Sequence, residues 1–357
     1  LDDIVTLKLA DYSGDGDSLN VALTDDSYDA SSFALKTEAD LETLNIDIGG
    51  TDVDLSSGSQ LKAKTIDVDS ATGNTSNLDL GTLQSEVTTV NATDFAGNLT
   101  ATAGSGDQTL TGGAGDDTLT GGAGADTLTG GAGSNTYVYT SGDVAEGERL
   151  VLTSSATETI DINDSTDMTN LVVGATGSTK VLTDVDTLDI AGGGSGIDVV
   201  ATFDAVQVDG ATFNVTADNK DDVVKITSDS AATVDLTGIT PGNSGFEIGG
   251  NVTATIDDSF TTTTITGSGD LEVTGSGAID MTNVTTSGSI EVGDGVTATL
   301  AFDNVSGDTV TGSGDVNITG VDGDISAVDI SGISTSDLTL TAVSAAILGS
   351  GDFTVND

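Results

Sequence analysis

Short runs of alternating apolar and polar residues follow one another along most of the chain. In these runs Val, Ile, Leu and Thr recur, and Gly, Ser, Asn and Asp separate one run from the next. Alternation with a period of two predicts half-buried β-strands, and clusters of Gly, Asn and Asp predict tight turns. The chain has a single proline, Pro241, and almost no helical periodicity. We therefore predict an all-β fold, in which only Phe33 to Leu44 are compatible with one or two helical turns.

Three nine-residue units repeat without a slip from Gly112 to Val138. They read Gly112-Gly-Ala-Gly-Asp-Asp-Thr-Leu-Thr, Gly121-Gly-Ala-Gly-Ala-Asp-Thr-Leu-Thr and Gly130-Gly-Ala-Gly-Ser-Asn-Thr-Tyr-Val. A degenerate fourth copy precedes them at residues 103–111, with Gln108 at the sixth position and Leu110 at the eighth. The units match the G-G-x-G-x-D-x-U-x pattern, in which U is apolar, of calcium-binding parallel β-rolls.

The paired glycines and the sixth residue of each unit predict a cation site in each turn. Glycine lets the backbone adopt positive φ, so that carbonyl oxygens point inward, and a sixth-position carboxylate adds an anionic oxygen. The apolar eighth residue, which is Leu119, Leu128 or Tyr137, should fill the thin core between the strands. The residues that we predict to hold Ca²⁺ are Gly113, Gly115, Asp117, Gly122, Gly124, Asp126, Gly131, Gly133, Asn135 and Gln108.

Two nonapeptides should make one full turn of the roll, so that equivalent turns lie 18 residues apart. Asp117 then faces Asn135, and Asp126 faces Gln108. Each pair combines one carboxylate with one neutral amide, which predicts weak sites, in about the 10⁻⁴ to 10⁻³ M range of extracellular calcium modules. A flexible Gly-rich linker is the alternative interpretation, but it gives the eighth residues no reason to keep their register.

Looser repeats extend this organisation to the rest of the chain. Leu41-Glu-Thr-Leu-Asn-Ile-Asp47 is echoed by residues 185–190, and Gly-Ser-Gly-Asp recurs at Gly267, Gly312 and Gly349 before further alternating runs. Short strands joined by Gly/Asp turns, without helices, predict a β-solenoid with rungs of about 18 to 24 residues.

We predict four segments along the chain. They are a β-rich or solenoid segment at 1–103, the calcium β-roll at 104–138, a β-rich segment at 139–230 and an acidic β-solenoid at 231–357. A stacked β-sandwich array is the alternative for residues 139–357, where the periodicity is loose.

The charge is strongly one-sided and restricts the partners. The chain has 58 acidic and 8 basic side chains and no His, for a net charge of −50. Such a chain cannot grip phosphate backbones, and it has no apolar run near the roughly 18 residues that a membrane span needs. We expect neither nucleic-acid binding nor membrane insertion. Of the acids 49 are Asp and only 9 are Glu, which favours turns and hard cations over the general acidity of a halophilic protein.

The repeat, its continuation to Tyr139 and the preceding Asp94–Thr102 resemble bacterial RTX (repeats-in-toxin) proteins. The phrase at Leu41 to Asp47 is similar to phrases of RTX-type surface-layer proteins. The resemblance implies a parallel β-roll within a longer right-handed β-solenoid, type I secretion, Ca²⁺ binding and assembly of copies into an extracellular coat. RTX tracts commonly lie near the C-terminus, whereas more than 200 residues follow this one.

The chain lacks Cys, which fits a secreted protein without disulfides, and it starts at Leu1 without a signal peptide. We expect a processed form or a segment of a longer protein.

Two further acidic stretches are weaker calcium candidates. Residues 11–17 match the first half of an EF-hand loop, but Ala22 stands where the bidentate Glu belongs. Residues 218–222 are similar, and Lys220 among them favours a solvated turn.

The absence of His and Cys removes the usual pairs of nucleophile and base. Paired carboxylates can cleave glycosides, but the few aromatic residues are scattered and make no sugar platform. We therefore expect a non-enzymatic subunit of an extracellular surface layer or filament, whose partners are copies of itself, Ca²⁺ and, as a further candidate, cell-surface polysaccharide. A calcium-dependent RTX adhesin segment and the non-catalytic part of a larger secreted RTX enzyme are the alternatives.

Overall fold

The fold is described from a computed structural model of the chain. The structure describes residues 3–7, 16–24, 33–37, 41–57, 59–153, 157–174, 181–192, 198–321, 329–333 and 338–342. Residues 11–15 of the candidate EF-hand-like loop at 11–17, and the Gly-Ser-Gly-Asp copy at Gly349, therefore lie outside the described residues.

Short strands make up most of the described backbone. In chain order they are β1 (Asp3–Leu7), β2 (Ser18–Leu23), β3 (Phe33–Thr37), β4 (Leu41–Ile48), β5 (Val53–Asp54), β6 (Ala63–Ser70), β7 (Leu78–Thr82), β8 (Thr89–Asp94), β9 (Leu99–Thr102), β10 (Thr109–Thr111), β11 (Thr118–Thr120), β12 (Thr127–Thr129), β13 (Ser134–Tyr139), β14 (Arg149–Val151), β15 (Thr157–Ile162), β16 (Thr166–Asp167), β17 (Val172–Val173), β18 (Thr187–Asp189), β19 (Val200–Asp204), β20 (Phe213–Thr216), β21 (Val223–Thr227), β22 (Ala232–Asp235), β23 (Ile239–Thr240), β24 (Gly245–Ile248), β25 (Val252–Ile256), β26 (Thr264–Gly267), β27 (Asp270–Val273), β28 (Gly277–Met281), β29 (Val284–Thr286), β30 (Ile290–Val292), β31 (Val296–Ala301), β32 (Thr309–Gly312), β33 (Asp315–Val321), β34 (Asp329–Ile333) and β35 (Leu338–Ala342).

Helical structure is sparse in the described part of the chain. It consists of the four-residue helices α1 (Ala205–Val208) and α2 (Phe302–Val305) and one 3₁₀ turn at Asp258–Phe260. No helix in the ranges given above has the length and apolar character to cross a membrane.

The chain divides into two compact units, Leu1–Thr187 and Leu188–Asp357. In the first unit β1 pairs with β3, and most of the other strands form two larger parallel sheets. One sheet contains β2, β4, β6, β8, β10, β12, β14 and β17 as successive neighbours, and the other contains β5, β7, β9, β11, β13 and β15. From β4 to β15 consecutive strands alternate between these two sheets, so each turn of the solenoid places one strand in each of them. The division into four segments stays a prediction.

Alternate side chains of these strands point into a thin apolar core. In β4 the side chains of Leu44, Ile46 and Ile48 are at most 1% exposed, and Asp47 between them is exposed. The expected helical turns at Phe33 to Leu44 are wrong, because this stretch contains β3 and the start of β4. Strand β4 pairs in parallel with both β2 and β6, and the backbone hydrogen bonds on both of its edges hold it extended.

The second unit is also a parallel solenoid, but here a turn contains three strands. Strands β26, β27 and β28 of one turn pair in parallel with β29, β30 and β31 of the next. The paired residues Leu271 and Ile290 are 19 positions apart, within the predicted rung length, and both are buried. This stacking confirms the all-β parallel solenoid, and it is incompatible with the sandwich array that was the alternative for this region.

Candidate calcium-binding turns

The nonapeptides form a roll whose stacked strands are 18 residues apart. Leu110 lies opposite Leu128 in the pair β10 and β12, and Leu119 lies opposite Tyr137 in the pair β11 and β13. All four side chains are fully buried. The structure therefore confirms that two nonapeptides make one turn and that the eighth residues fill the core.

The glycines of the repeat lie against carbonyl oxygens of the preceding turn. Gly122 has a φ of +73°, and a Cβ built on it would stand 2.6 Å from the carbonyl oxygen of Gly104. A Cβ would likewise stand 2.1 to 2.3 Å from a carbonyl oxygen of the preceding turn, closer than van der Waals contact allows, at Gly113, Gly115, Gly124, Gly131 and Gly133. The turns are thus narrow cradles lined with carbonyl oxygens, which a larger residue would fill.

The sixth-position residues stack in two columns, one at each edge of the roll. The first column contains Asp117, Asn135 and Glu158, and the second contains Gln108, Asp126 and Glu148. The N–H groups of Asp117, Gln108 and Asp126 donate to the side chains of Asn135, Asp126 and Glu148, respectively, each in the following turn. The columns therefore bring together the two predicted pairs, Asp117 with Asn135 and Asp126 with Gln108.

In the first column the carboxylate of Asp117 is fully hydrogen-bonded by the backbone. Its Oδ1 accepts from the N–H of Leu99 at 2.7 Å, and its Oδ2 accepts from the N–H of Gly113 at 2.8 Å. The N–H of Asp117 in turn donates to Oδ1 of Asn135 at 3.2 Å. Each oxygen of the Asp117 carboxylate therefore has a backbone donor.

In the second column the carboxylate of Asp126 is only half satisfied. Its Oδ1 accepts from the N–H of Gln108 at 2.7 Å, but its Oδ2 is buried and has no hydrogen-bond donor. The side-chain oxygen Oε1 of Gln108 is also buried without a donor. Buried acceptors of this kind are costly unless a proton, a water or a cation meets them. Two such oxygens in one stacked pair fit a cation.

Two glutamates that the nonapeptide pattern does not contain extend the columns. Glu148 accepts from the N–H of Asp126 at 2.8 Å and from the hydroxyl of Tyr139 at 3.2 Å. Glu158 accepts from the hydroxyl of Tyr137 at 3.0 Å and from the N–H of Thr153 at 3.2 Å. Both glutamates are fully buried.

The spacing of these glutamates explains why the repeat does not reveal them. Each follows its predecessor in the column by more than the 18 residues of the roll, since β12 pairs with β14 in a register of 22 and β13 pairs with β15 in a register of 23. The usable signal is that each acidic residue stands at or near the start of an alternating run, as the sixth residue does in every nonapeptide.

Burial makes these carboxyl groups weak acids. Desolvation raises the pKa of Asp117 and that of Asp126 to about 6, and it raises the pKa of Glu148 to about 8. The pKa of Glu158 is raised for the same reason. Negative charge in the columns is therefore unfavourable by itself, and a bound cation would offset that cost.

The donor set of the roll fits calcium and not a metal held by side chains alone. Within the described ranges, no group of three or more His, Cys, Asp or Glu side chains is arranged to hold a metal ion. Calcium accepts six to eight oxygen ligands, including backbone carbonyls, amide oxygens and a few carboxylates. Of the glycines predicted from the repeat, Gly122, Gly124, Gly131 and Gly133 have positive φ, whereas Gly113 and Gly115 do not. The role of the ten predicted residues as a calcium site stays a prediction.

An acidic turn in the second unit shows how a buried carboxylate is satisfied without a cation. In the turn at residues 218–222, Lys220 and Asp221 are exposed, as the sequence suggests, but Asp222 is fully buried. Its Oδ1 accepts from the N–H of Val199, and its Oδ2 accepts from the N–H groups of Asp218 and Asn219. Backbone N–H groups therefore satisfy both oxygens of Asp222, whereas Oδ2 of Asp126 has no donor.

The stacked glycine turns and acidic columns define a calcium-type β-roll. Residues 102–137 match the family model of the RTX calcium-binding nonapeptide repeat, in four copies. The match confirms the three regular units and the degenerate one before them, and with them the resemblance to RTX calcium-binding proteins. Searches of curated proteins and of solved structures found no match to the chain.

Proposed function

We propose that this chain is a non-enzymatic structural segment of an extracellular protein, which folds with Ca²⁺ and assembles with copies of itself through Ca²⁺. The observation that carries the calcium part is the pair of buried, donor-less oxygens on Asp126 and Gln108 within the RTX repeat. Calcium bound there would supply the positive charge that the columns lack. Because the chain has a net charge of −50, the same ions also reduce its self-repulsion.

Ordered acidic rows on the outer face of the first unit support assembly through cations. Asp47, Asp69 and Asp94 lie opposite one another on β4, β6 and β8, and all three are exposed. Neighbouring strands are about 4.8 Å apart, so these carboxylates form a closely spaced row. We name Asp47, Asp69 and Asp94 the outer row. Divalent ions can bridge such a row to an equivalent row of a second copy.

Assembly into a surface layer or filament should depend on calcium. The full chain is titrated with Ca²⁺ and followed by light scattering and electron microscopy, and ordered sheets or fibres are expected that dissolve with chelator. A variant with Asp47, Asp69 and Asp94 changed to Ala should need more Ca²⁺ to assemble. The control removes three exposed aspartates of the second unit, Asp229, Asp258 and Asp303, and so loses the same charge.

A chain that stays monomeric at high concentration in about 10 mM Ca²⁺, well above the affinity range of extracellular calcium modules, contradicts the layer or filament. The outer row then favours the second candidate, a segment of a calcium-dependent adhesin, in which bridging ions hold acidic polysaccharide on the same face. If the control variant loses assembly as strongly as the outer-row variant, total charge matters and not the row.

A further inference from the structure

The two columns differ in the residues that surround their glutamates. In the first column Glu158 lies opposite the neutral amide of Asn135, and its N–H donates at 2.9 Å to Oδ2 of Asp186, whose side chain is exposed. In the second column Glu148 accepts from the backbone N–H of Asp126, and the side chains of both residues are fully buried. Glu148 lies in the connection between β13 and β14, outside the 102–137 repeat.

The nonapeptide turns themselves also differ. In the turn at 112–117 the N–H of Gly113 donates to Oδ2 of Asp117, so this oxygen has a donor within the same turn. In the turn at 121–126 the equivalent glycine, Gly122, has a φ of +73°, and Oδ2 of Asp126 has no donor. The two turns thus have nearly identical sequences but different hydrogen bonding of the sixth-position carboxylate. The turn in which Oδ2 has no donor is the one whose Asp126 donates its N–H to Glu148.

The surroundings of Asp126 and Glu148 are negatively charged, and one of their four carboxylate oxygens has no donor. Both side chains are 0% exposed, and the charge of Asp143 acts on each of them. Each oxygen of Glu148 accepts one hydrogen bond, from Tyr139 or from the N–H of Asp126, whereas Oδ2 of Asp126 accepts none. Asp222, by contrast, has backbone donors on both oxygens. A cation or a proton would stabilise the buried pair by meeting the oxygen that has no donor.

We propose that Asp126 and Glu148 are the two carboxylates of a Ca²⁺ site between the last Asp-containing nonapeptide turn and the connection at 140–148. The inference rests on the proposed calcium binding of the roll and extends it beyond the repeat. Because this site combines two carboxylates, it binds Ca²⁺ more tightly than the amide and carboxylate pairs within the repeat, and it fixes the end of the roll.

The test counts the calcium ions bound to the full chain by equilibrium dialysis. Glu148→Gln keeps the size of the side chain and its bond from Tyr139, and it is expected to bind one Ca²⁺ fewer, with the tightest phase lost. Glu158→Gln is the matched control, since Glu158 is equally buried and also accepts from a tyrosine. It should keep the parent number. An unchanged count and affinity in Glu148→Gln, or an equal loss in both variants, overturns the proposal.

A second measurement does not depend on how Glu148→Gln folds. Tb³⁺ occupies calcium sites and emits when a nearby tyrosine is excited, and the chain has 4 Tyr and no Trp. Because the hydroxyl of Tyr139 lies 3.2 Å from Glu148, Tyr139→Phe should lose much of the sensitised emission while binding the same number of ions. Emission equal to that of the parent overturns the site. A parent chain that binds no Ca²⁺ instead defeats the proposed function, so the two failures are distinguishable.

Discussion

Tyr139 donates a hydrogen bond from its hydroxyl to Oε1 of Glu148 at 3.2 Å, and both side chains are fully buried. The other oxygen of Glu148 accepts from the N–H of Asp126, whose own Oδ2 has no donor. Burial also raises the pKa of Tyr139, so the phenol stays a donor and the carboxyl group is the one that titrates. The electrostatics of the roll are therefore governed by its carboxyl groups.

Without calcium, the free energy of unfolding should fall as the pH rises from about 5 to about 8. The pKa values of Asp117 and Asp126 are raised from 3.8 to about 6, and that of Glu148 from 4.5 to about 8. Between these values the folded chain holds more protons than the unfolded chain, so this stabilisation is present at low pH and lost as pH passes the folded values. Urea unfolding at a series of pH values, in calcium-free buffers of constant ionic strength, measures this fall in the free energy of unfolding.

The control for this profile is Glu148→Gln, which removes the group with the highest pKa of the three. Its profile should flatten between about pH 6 and 8, while the slope that general charge repulsion causes remains. A parent chain whose stability rises over this range would contradict the assigned burial of the carboxyl groups.

The double substitution Asp117→Ala and Asp126→Ala should lower the melting temperature in millimolar Ca²⁺ and remove ordered calcium from the roll. An ion that binds only the folded chain stabilises it by about 2.7 kcal/mol when its concentration is 100 times its Kd. Differential scanning calorimetry with and without chelator gives the effect. The control is Asp47→Ala with Asp94→Ala, which removes two exposed aspartates of the same unit. Equal melting temperatures of the two double variants would argue against the site.

Gly122→Ala should destabilise the roll more than Gly142→Ala. Both glycines have positive φ, +73° and +93°, so both substitutions carry a backbone strain of roughly 1–2 kcal/mol. Only at Gly122 would the added Cβ also meet a carbonyl oxygen, 2.6 Å away on Gly104, whereas nothing lies within 4 Å at Gly142. Chemical unfolding and calcium titration of both variants separate strain from damage to the turn. Equal losses of stability and of calcium affinity would show that the carbonyl cradle has no role.

The purified chain should turn over neither polysaccharides nor esters. It contains no His or Cys, and the carboxyl groups of the roll whose pKa values are raised are buried and have no access to a substrate. Assays with a panel of acidic and neutral polysaccharides and with activated esters, in millimolar Ca²⁺, test this expectation. Turnover well above that of buffer would disprove the non-enzymatic assignment.

The sequence predicts the roll well because its period is rigid. Nine-residue units with glycine, Asp and an apolar residue at fixed positions leave one register, and the structure has it, with Leu119 opposite Tyr137. It predicts the second unit only in outline, since variable connections hide the three strands per turn. The sequence does not reveal Glu148 and Glu158, because the connections before them are longer than those within the repeat. Their role also depends on partners that only the folded chain brings near.

The error at Phe33 to Leu44 has a physical cause as well. Leu41 and Leu44 are three residues apart, a spacing that suits one face of a helix, and the sequence alone does not show the neighbouring strands. In the fold, β4 has a parallel partner on each side, and two ladders of backbone hydrogen bonds outweigh a weak local preference. At this segment the pairing of both edges, and not the spacing of the two leucines, decides the conformation.

The 18-residue register between Leu110 and Leu128 limits how the roll can change in length during evolution. Duplication of two nonapeptides adds one full turn and leaves every downstream strand in its own sheet. Duplication of a single nonapeptide would instead exchange the two sheets for everything that follows, and it would place Glu148 in the column of Asp117. Growth of this protein by gene duplication is therefore restricted to steps of whole turns, with any odd repeat absorbed in a connection such as 140–148.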